Sequence, residues 1–217
     1  MGKEWVAIAT AMVVAGCASA EQRWLAAGER LTATGAITEF ALPHPASSPT
    51  TIALAPDGTV WFTQSNGNRI GRMNPDGSGL TEFDVPTADS SPRIIALGAD
   101  GNMWFVELNG TIDGRVVAGN RVGRITMQGE ITEFPIPSAA GSPTNVAVGP
   151  DRNVWYTKGA SLGRVAADGT ITEFALDANA RAVGLTAGSD RQPPARLANR
   201  LWYADGNGNK IGYLRFE

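Results

Sequence analysis

The chain has 217 residues, 43% of them hydrophobic and 18% charged, with a formal net charge of -3. That is enough apolar material for a packed domain, and the slightly acidic balance offers no basic surface to a nucleic-acid partner. The single cysteine excludes an intrachain disulfide and a cysteine-built metal site, while 26 glycines and 13 prolines indicate a chain of many turns.

Trp5–Gly16 is an uninterrupted apolar run of about a dozen residues, the size of a signal-peptide core and too short for a membrane span. It ends in VAGC (Val14–Cys17), which resembles a bacterial lipobox, in which Cys17 would be lipidated and become the new N-terminus. Ala18–Ala20 would also suit ordinary signal cleavage, and the charged start is thin because Glu4 offsets Lys3. The expectation is a signal over 1–20, a tether or short helix over 21–35, and an exported protein. It would be an outer-membrane or cell-surface lipoprotein held to the membrane by its lipid alone, or else periplasmic or secreted.

From residue 36 to the C-terminus the chain repeats itself. DGTVWFTQ (Asp57–Gln64) returns as DGNMWFVE (Asp100–Glu107), DRNVWYTK (Asp151–Lys158) and NRLWYAD (Asn199–Asp205). SPTTIAL, SPRIIAL and SPTNVAV precede the first three, and a worn copy, ARAVGLTA, precedes the fourth. NRIGR, NRVGR, SLGRV or NKIGY follows, and then, in the first three units, TEF. The period is roughly 40 to 50 residues, and Asp-Gly and Asn-Gly pairs mark hairpin turns inside each unit.

Each unit reads as four short strands, so the fold is all-β: a β-propeller of four-stranded antiparallel blades. A small residue sits mid-way along each first strand, which would line the crowded axis: Ala53, Ala96, Ala147 and Gly184. The second strands lie between blades and need two apolar faces. Trp61, Trp104, Trp155 and Trp202 supply one face; Phe62, Phe105, Tyr156 and Tyr203 supply the other. The chain opens with a lone fourth strand, AITEFALP (Ala36–Pro43), and its last unit stops after the third, so pairing the two closes a ring of four blades. The alternative is a homodimer whose two chains share one larger ring.

PDG-x-x-WFT-x, followed by NRIGR and G-x-ITEFP-x-P, resembles the streptogramin B lyases (virginiamycin B lyase-like propellers) from about Ala36 onward. The resemblance implies magnesium-assisted elimination that opens a cyclic depsipeptide at its ester. A histidine just after the proline of a first strand would be the base, and a glutamate closing a WFTE strand would serve the metal. At the histidine position this chain has Thr50, Arg93 and Thr144, with Arg181 in the worn copy; the lone His44 lies in a loop, LPHPASSP. At the glutamate position stand Gln64, Glu107, Lys158 and Asp205. Only Glu107 matches, with Asp205 a substitute metal ligand, and His44 is the only histidine that a displaced catalytic role could fall to.

The scaffold letters hold while these two positions vary in size and charge. Variable polar residues on a rigid frame suggest a binding mouth made by Thr50/Gln64, Arg93/Glu107, Thr144/Lys158 and Arg181/Asp205. Plain salt bridges, Arg93 to Glu107 and Arg181 to Asp205, are the competing reading. DGNGN (Asp205–Asn209) reads as a turn. Asn109–Asn120 and Asp190–Arg200 read as lengthened loops. Two functions remain. One is an exported propeller binding a small molecule, a peptide or a protein partner at its mouth. The other is a magnesium-dependent carbon–oxygen lyase.

Overall fold

The computed structural model describes residues 38–112, 115–138, 141–188 and 199–216. The signal, Cys17 and the tether lie outside them. The chain divides into two units, and the one described below spans Phe40–Glu217. Its strands form four antiparallel sheets in chain order. The first holds β1 (Pro49–Leu54), β2 (Val60–Gln64), β3 (Arg69–Met73) and β4 (Thr81–Asp84). The second holds β5 (Pro92–Leu97), β6 (Met103–Ile112), β7 (Arg115–Ile125) and β8 (Ile131–Pro135). The third holds β9 (Pro143–Val148), β10 (Val154–Lys158), β11 (Ser161–Val165) and β12 (Ile171–Ala175). The last has three strands, β13 (Ala182–Ala187), β14 (Arg200–Asp205) and β15 (Lys210–Arg215).

These are propeller blades. First strands lie side by side, β1 by β5, β5 by β9 and β9 by β13, so they form the inner wall. Between blades lie separate apolar seams. Trp61 and Ile70 of the first blade meet Ile95 and Phe105 of the second. Trp104 and Val122 meet Val146 and Tyr156, and Trp155 and Leu162 meet Ala182, Leu201 and Tyr203. Trp61, Trp104 and Trp155 face the following blade, and Phe105, Tyr156 and Tyr203 the preceding one, as the two-faced pattern predicts. Each of the first three tryptophans also stacks on the Phe of its own TEF strand: Trp61 on Phe83, Trp104 on Phe134 and Trp155 on Phe174, at centroid distances of 5.9, 5.4 and 5.3 Å.

Glycine at the middle of the third strands is required by this packing. A Cβ on Gly71, Gly123 or Gly163 would fall inside the ring of Phe62, Phe105 or Tyr156 on the neighbouring strand.

Three expectations are revised. Residues 38–48 form no strand, and the fourth blade has three strands, so the described chain does not close on itself. The faces that closure would bury are open instead: Ile52 and Leu54 at one end, Ile211 and Tyr213 at the other. In the fourth blade Thr186, not Gly184, stands opposite Trp202, where Ala53 stands opposite Trp61. Arg181 consequently precedes its strand by one residue. Finally, the insertion at 109–120 extends the β6–β7 hairpin, with Asn109 paired to Ala118 and Ile112 to Arg115. The tip at 113–114 and most of the 190–200 insertion lie outside the described residues.

Candidate functional site

The residues closing the second strands stand opposite the start of the first strands, as the repeat requires: Gln64 pairs with Pro49, Glu107 with Pro92, Lys158 with Pro143 and Asp205 with Ala182. A bulge interrupts each first strand just after that point, which turns the following side chains. The two members of each pair therefore part company. Thr50, Arg93 and Arg181 are exposed and Thr144 is half-buried, whereas Gln64, Glu107, Lys158 and Asp205 are all buried. A mouth made of both sets does not form.

The buried set joins a polar layer that fastens the blades. Its constant member is the Glu of TEF. Glu82 accepts a bond from Gln64 Nε2 at 2.7 Å, and its second oxygen lies 2.7 Å from His44 Nδ1. Glu133 takes the N–H and hydroxyl of Thr87, and Glu173 those of Ser138. His44, Thr87 and Ser138 occupy the same place in successive inter-blade loops, so His44 is a peg between loop and blade. A second member is the Asn that opens NRIGR, present in every blade but the third, which has Ala160 there. Asn68 donates to the carbonyls of Val85 and Thr87 and accepts from the N–H and hydroxyl of Ser90. Asn120 donates to the carbonyls of Ile136 and Ser138. Gly141 stands where Ser90 would, and Lys158 Nζ reaches Asn120 Oδ1 and Ser138 instead. Burial lowers the pKa of Lys158, opposed by the charge of Glu173.

Glu107 is the exception in this layer. It is fully buried, and as an ionised carboxylate neither oxygen would find a donor, whereas the neutral carboxyl can donate to Glu133. Burial, reinforced by the nearby charge of Glu133 and opposed by Arg121, pushes its pKa up to about 8. Its carboxyl is therefore held mostly neutral at pH 7. Asp205 is used differently: its Oδ1 accepts the N–H groups of Arg181, Asn207 and Gly208, which holds its carboxyl below the usual range. Neither salt bridge of the competing reading forms, since Asp205 takes the Arg181 backbone and Glu107 has no ion-pair partner.

Outside this layer, Thr51 and Thr63 hydroxyls both donate to the Arg93 carbonyl at 2.5 Å, anchoring its backbone. Thr144 Oγ1 bonds to Thr157 Oγ1 and to the Ala182 carbonyl, and Thr50 Oγ1 lies 2.6 Å from Ser65 Oγ. The guanidiniums of Arg93 and Arg181 make no ion pair among the described residues.

A sequence model of the Virginiamycin B lyase family matches residues 22–217. The chain belongs to the virginiamycin B lyase family. A virginiamycin B lyase from Staphylococcus aureus superposes with a TM-score of 0.72 at 35% identity, over 85% of this chain and 58% of that one. A streptogramin B lyase structure gives 0.71 at 32% identity, over 85% and 57%. The virginiamycin B lyase of Bordetella parapertussis is 45% identical over 42 residues, 19% of this chain and 14% of the relative. That of Bacillus licheniformis is 42% identical over 41 residues, with the same shares. The chain thus spans little more than half the length of the solved lyases it resembles.

Against the chemistry that the family implies, the base position holds Thr50, Arg93 or Thr144, and His44 is committed to Glu82. Glu107 and Asp205 do not fit a magnesium ion as placed. Magnesium keeps several waters, but both Glu107 oxygens are sealed from solvent and Asp205 Oδ1 is filled by backbone donors. Sequence reasoning missed Glu82, Glu133, Glu173, Asn68 and Asn120. The signal was their recurrence: a carboxylate repeated in every TEF, and an amide repeated in all units but the third, are as structural as the tryptophans.

Proposed function

We propose that this member of the virginiamycin B lyase family is a binding propeller without elimination chemistry of its own. Its ligand is an oxygen-rich small molecule or peptide, taken at the ends of the first strands. The observation that carries the reading is the divorce of Arg93 from Glu107. Arg93 is exposed with its guanidinium free of ion pairs, and the adjacent carboxyl is buried. A free guanidinium on an anchored backbone suits a carboxylate or a row of carbonyls. Arg181 adds a second cation at the start of the fourth blade. The protein is exported and tethered by lipid at Cys17; replacing Cys17 by Ala moves it from the membrane fraction to the soluble one.

The test is incubation with a cyclic depsipeptide ester of the streptogramin B class, followed by chromatography and fragment mass spectrometry. A binder returns the compound intact, and Arg93→Ala weakens its retention at least tenfold. Recovery of a ring-opened product of unchanged mass overturns the reading. It would instead support the second one, a carbon–oxygen lyase, which rests on family membership and on Glu107 standing at the family's glutamate position. In that case Glu107→Gln abolishes turnover. A product heavier by one water would indicate hydrolysis.

A further inference from the structure

The residue closing the second strand stands near a TEF glutamate in each of the first three blades, but only in the third is it an amine. Gln64 gives Glu82 an amide N–H, Glu107 stands beside Glu133, and Lys158 stands near Glu173. Lys158 is 1% exposed and reaches back to the second blade. Its Nζ lies 2.5 Å from Asn120 Oδ1 and 2.8 Å from Ser138 Oγ, and it also meets the Ser138 carbonyl. Ser138 Oγ in turn donates to Glu173 Oε1 at 2.8 Å.

The arrangement sets a nucleophile against an amide carbon. Asn120 Nδ2 donates to the carbonyls of Ile136 at 2.6 Å and Ser138 at 2.8 Å, which fixes its carboxamide and leaves Oδ1 to the amine. With a C=O bond of about 1.2 Å, Asn120 Cγ lies within about 3.7 Å of Lys158 Nζ. That is close to the roughly 3–3.5 Å from which reacting atoms join. Burial keeps water out and lowers the pKa of Lys158 against the charge of Glu173, which favours the amine with a free lone pair. The first seam is an internal contrast. Asn68 has the same grip on the carbonyls of Val85 and Thr87, but its Oδ1 takes the N–H and hydroxyl of Ser90 in place of an amine.

We propose that Lys158 and Asn120 join in an intramolecular amide cross-link, with Ser138 and Glu173 carrying the protons. Glu173 takes a proton from Nζ through the Ser138 hydroxyl. The freed lone pair attacks Asn120 Cγ, and the carbonyl electrons move onto Oδ1. As they return, the Cγ–Nδ2 bond breaks. Nδ2 takes the proton held by Glu173 and leaves as ammonia. A further Nζ proton follows the same relay and departs with the ammonia as ammonium. Atoms and charge balance: one ammonium side chain and one carboxamide give one secondary amide and one ammonium ion, with nothing oxidised or reduced. The bond ties β7 of the second blade to β10 of the third across 38 residues. With a single cysteine the chain has no disulfide to do this. The cross-link lies in a seam and is independent of the ligand reading at Arg93.

The experiment is tryptic mapping by mass spectrometry of the purified full chain, denatured before digestion. Trypsin does not cut after an acylated lysine. The expected product is therefore a branched peptide that joins 116–121, which carries Asn120, to 153–164, which carries Lys158. It is lighter by one ammonia than its two parts. Lys158→Arg and Asn120→Ala are each expected to abolish it. Glu173→Gln keeps an amide for Ser138 to bond but cannot take a proton, so in freshly refolded protein the branched peptide should form on the order of a hundredfold more slowly. Recovery of 153–158 as a free peptide from most of the unaltered chain overturns the proposal and leaves Lys158 as a hydrogen-bonded peg. An unchanged rate in Glu173→Gln overturns the assigned proton relay.

Discussion

The second blade and the fourth are built from the same phrase, yet only one of them is finished. In the second, Trp104 has its Phe134, Val122 is covered by the third blade, and Asn120 holds the loop that leads there. In the fourth, Ile211 and Asn209 hold the same positions facing solvent, and Trp202 is half-buried against Tyr213. The repeat therefore encodes half of each contact. The other half must come from the next copy of the repeat, and a blade without a neighbour is stable only to the extent that its own strands hold it.

The largest expected difference between the two blades lies at their mid-strand glycines. Gly123→Ala drives a methyl into the buried ring of Phe105, which is fixed between the first and second blades. It is expected to cost about 4 kcal/mol or to prevent folding. Gly212→Ala meets the Tyr203 ring, which is only half-buried and can swing aside, so about 1–2 kcal/mol is expected. Urea midpoints measure both; equal losses would mean that the end blade is as tightly packed as the interior one.

Next comes a contrast inside the polar layer. Gln64 donates to Glu82 in the first blade, while Glu107 faces Glu133 in the second and can donate to it only while it keeps its proton. Because the folded state holds the Glu107 proton up to about pH 8, against an ordinary value near 4.5, it binds that proton more tightly than the unfolded chain does. The Glu107 contribution to stability is therefore full below pH 4.5, falls as pH rises toward 8, and is gone above that. At roughly 1.4 kcal/mol per unit the fall approaches about 4–5 kcal/mol. Glu107→Gln copies the first blade, removes most of that slope and raises the midpoint at pH 8. Thermal unfolding at pH 5 and pH 8 reads it directly, and an unchanged slope would place the titration elsewhere.

A smaller pair of substitutions tests the open end itself. Ile70→Ala empties a sealed seam and should cost about 2–4 kcal/mol. Ile211→Ala on the exposed counterpart should stay within about 0.5 kcal/mol at low protein concentration.

Much of this was legible in the sequence, because hydrophobic period and turn residues set strand number and the face each aromatic takes. Trp61, Trp104 and Trp155 lie where the alternation placed them. Two things were not legible. Ring closure depends on the angle between blades, which no residue writes down, and the described residues show no strand pairing with the last blade. The direction of Gln64, Glu107 and Lys158 depends on the bulge opposite them, which turns the strand-start residues outward and leaves the closing residues in the seam. The varied positions therefore split into a half that reaches solvent and a half that does not. The varied buried half is matched to its own loop: Gln64 to Glu82, and Lys158 to Gly141.

The smallest expected effect concerns the pegs. His44 and Thr87 do the same job on successive loops, but Thr87 gives Glu133 both its N–H and its hydroxyl, while His44 gives Glu82 one ring nitrogen and stays half-exposed. His44→Ala should cost no more than about 1 kcal/mol, because water can take over the freed oxygen of Glu82. His44→Thr should recover most of that by copying the second loop. A histidine acting as a base would give a different pattern: Thr, which cannot accept a proton near neutral pH, would restore stability but not turnover. Measuring the urea midpoint and depsipeptide recovery on both variants separates the peg from the base, and a peg requires that ligand retention be the same in His44→Thr as in the unaltered chain.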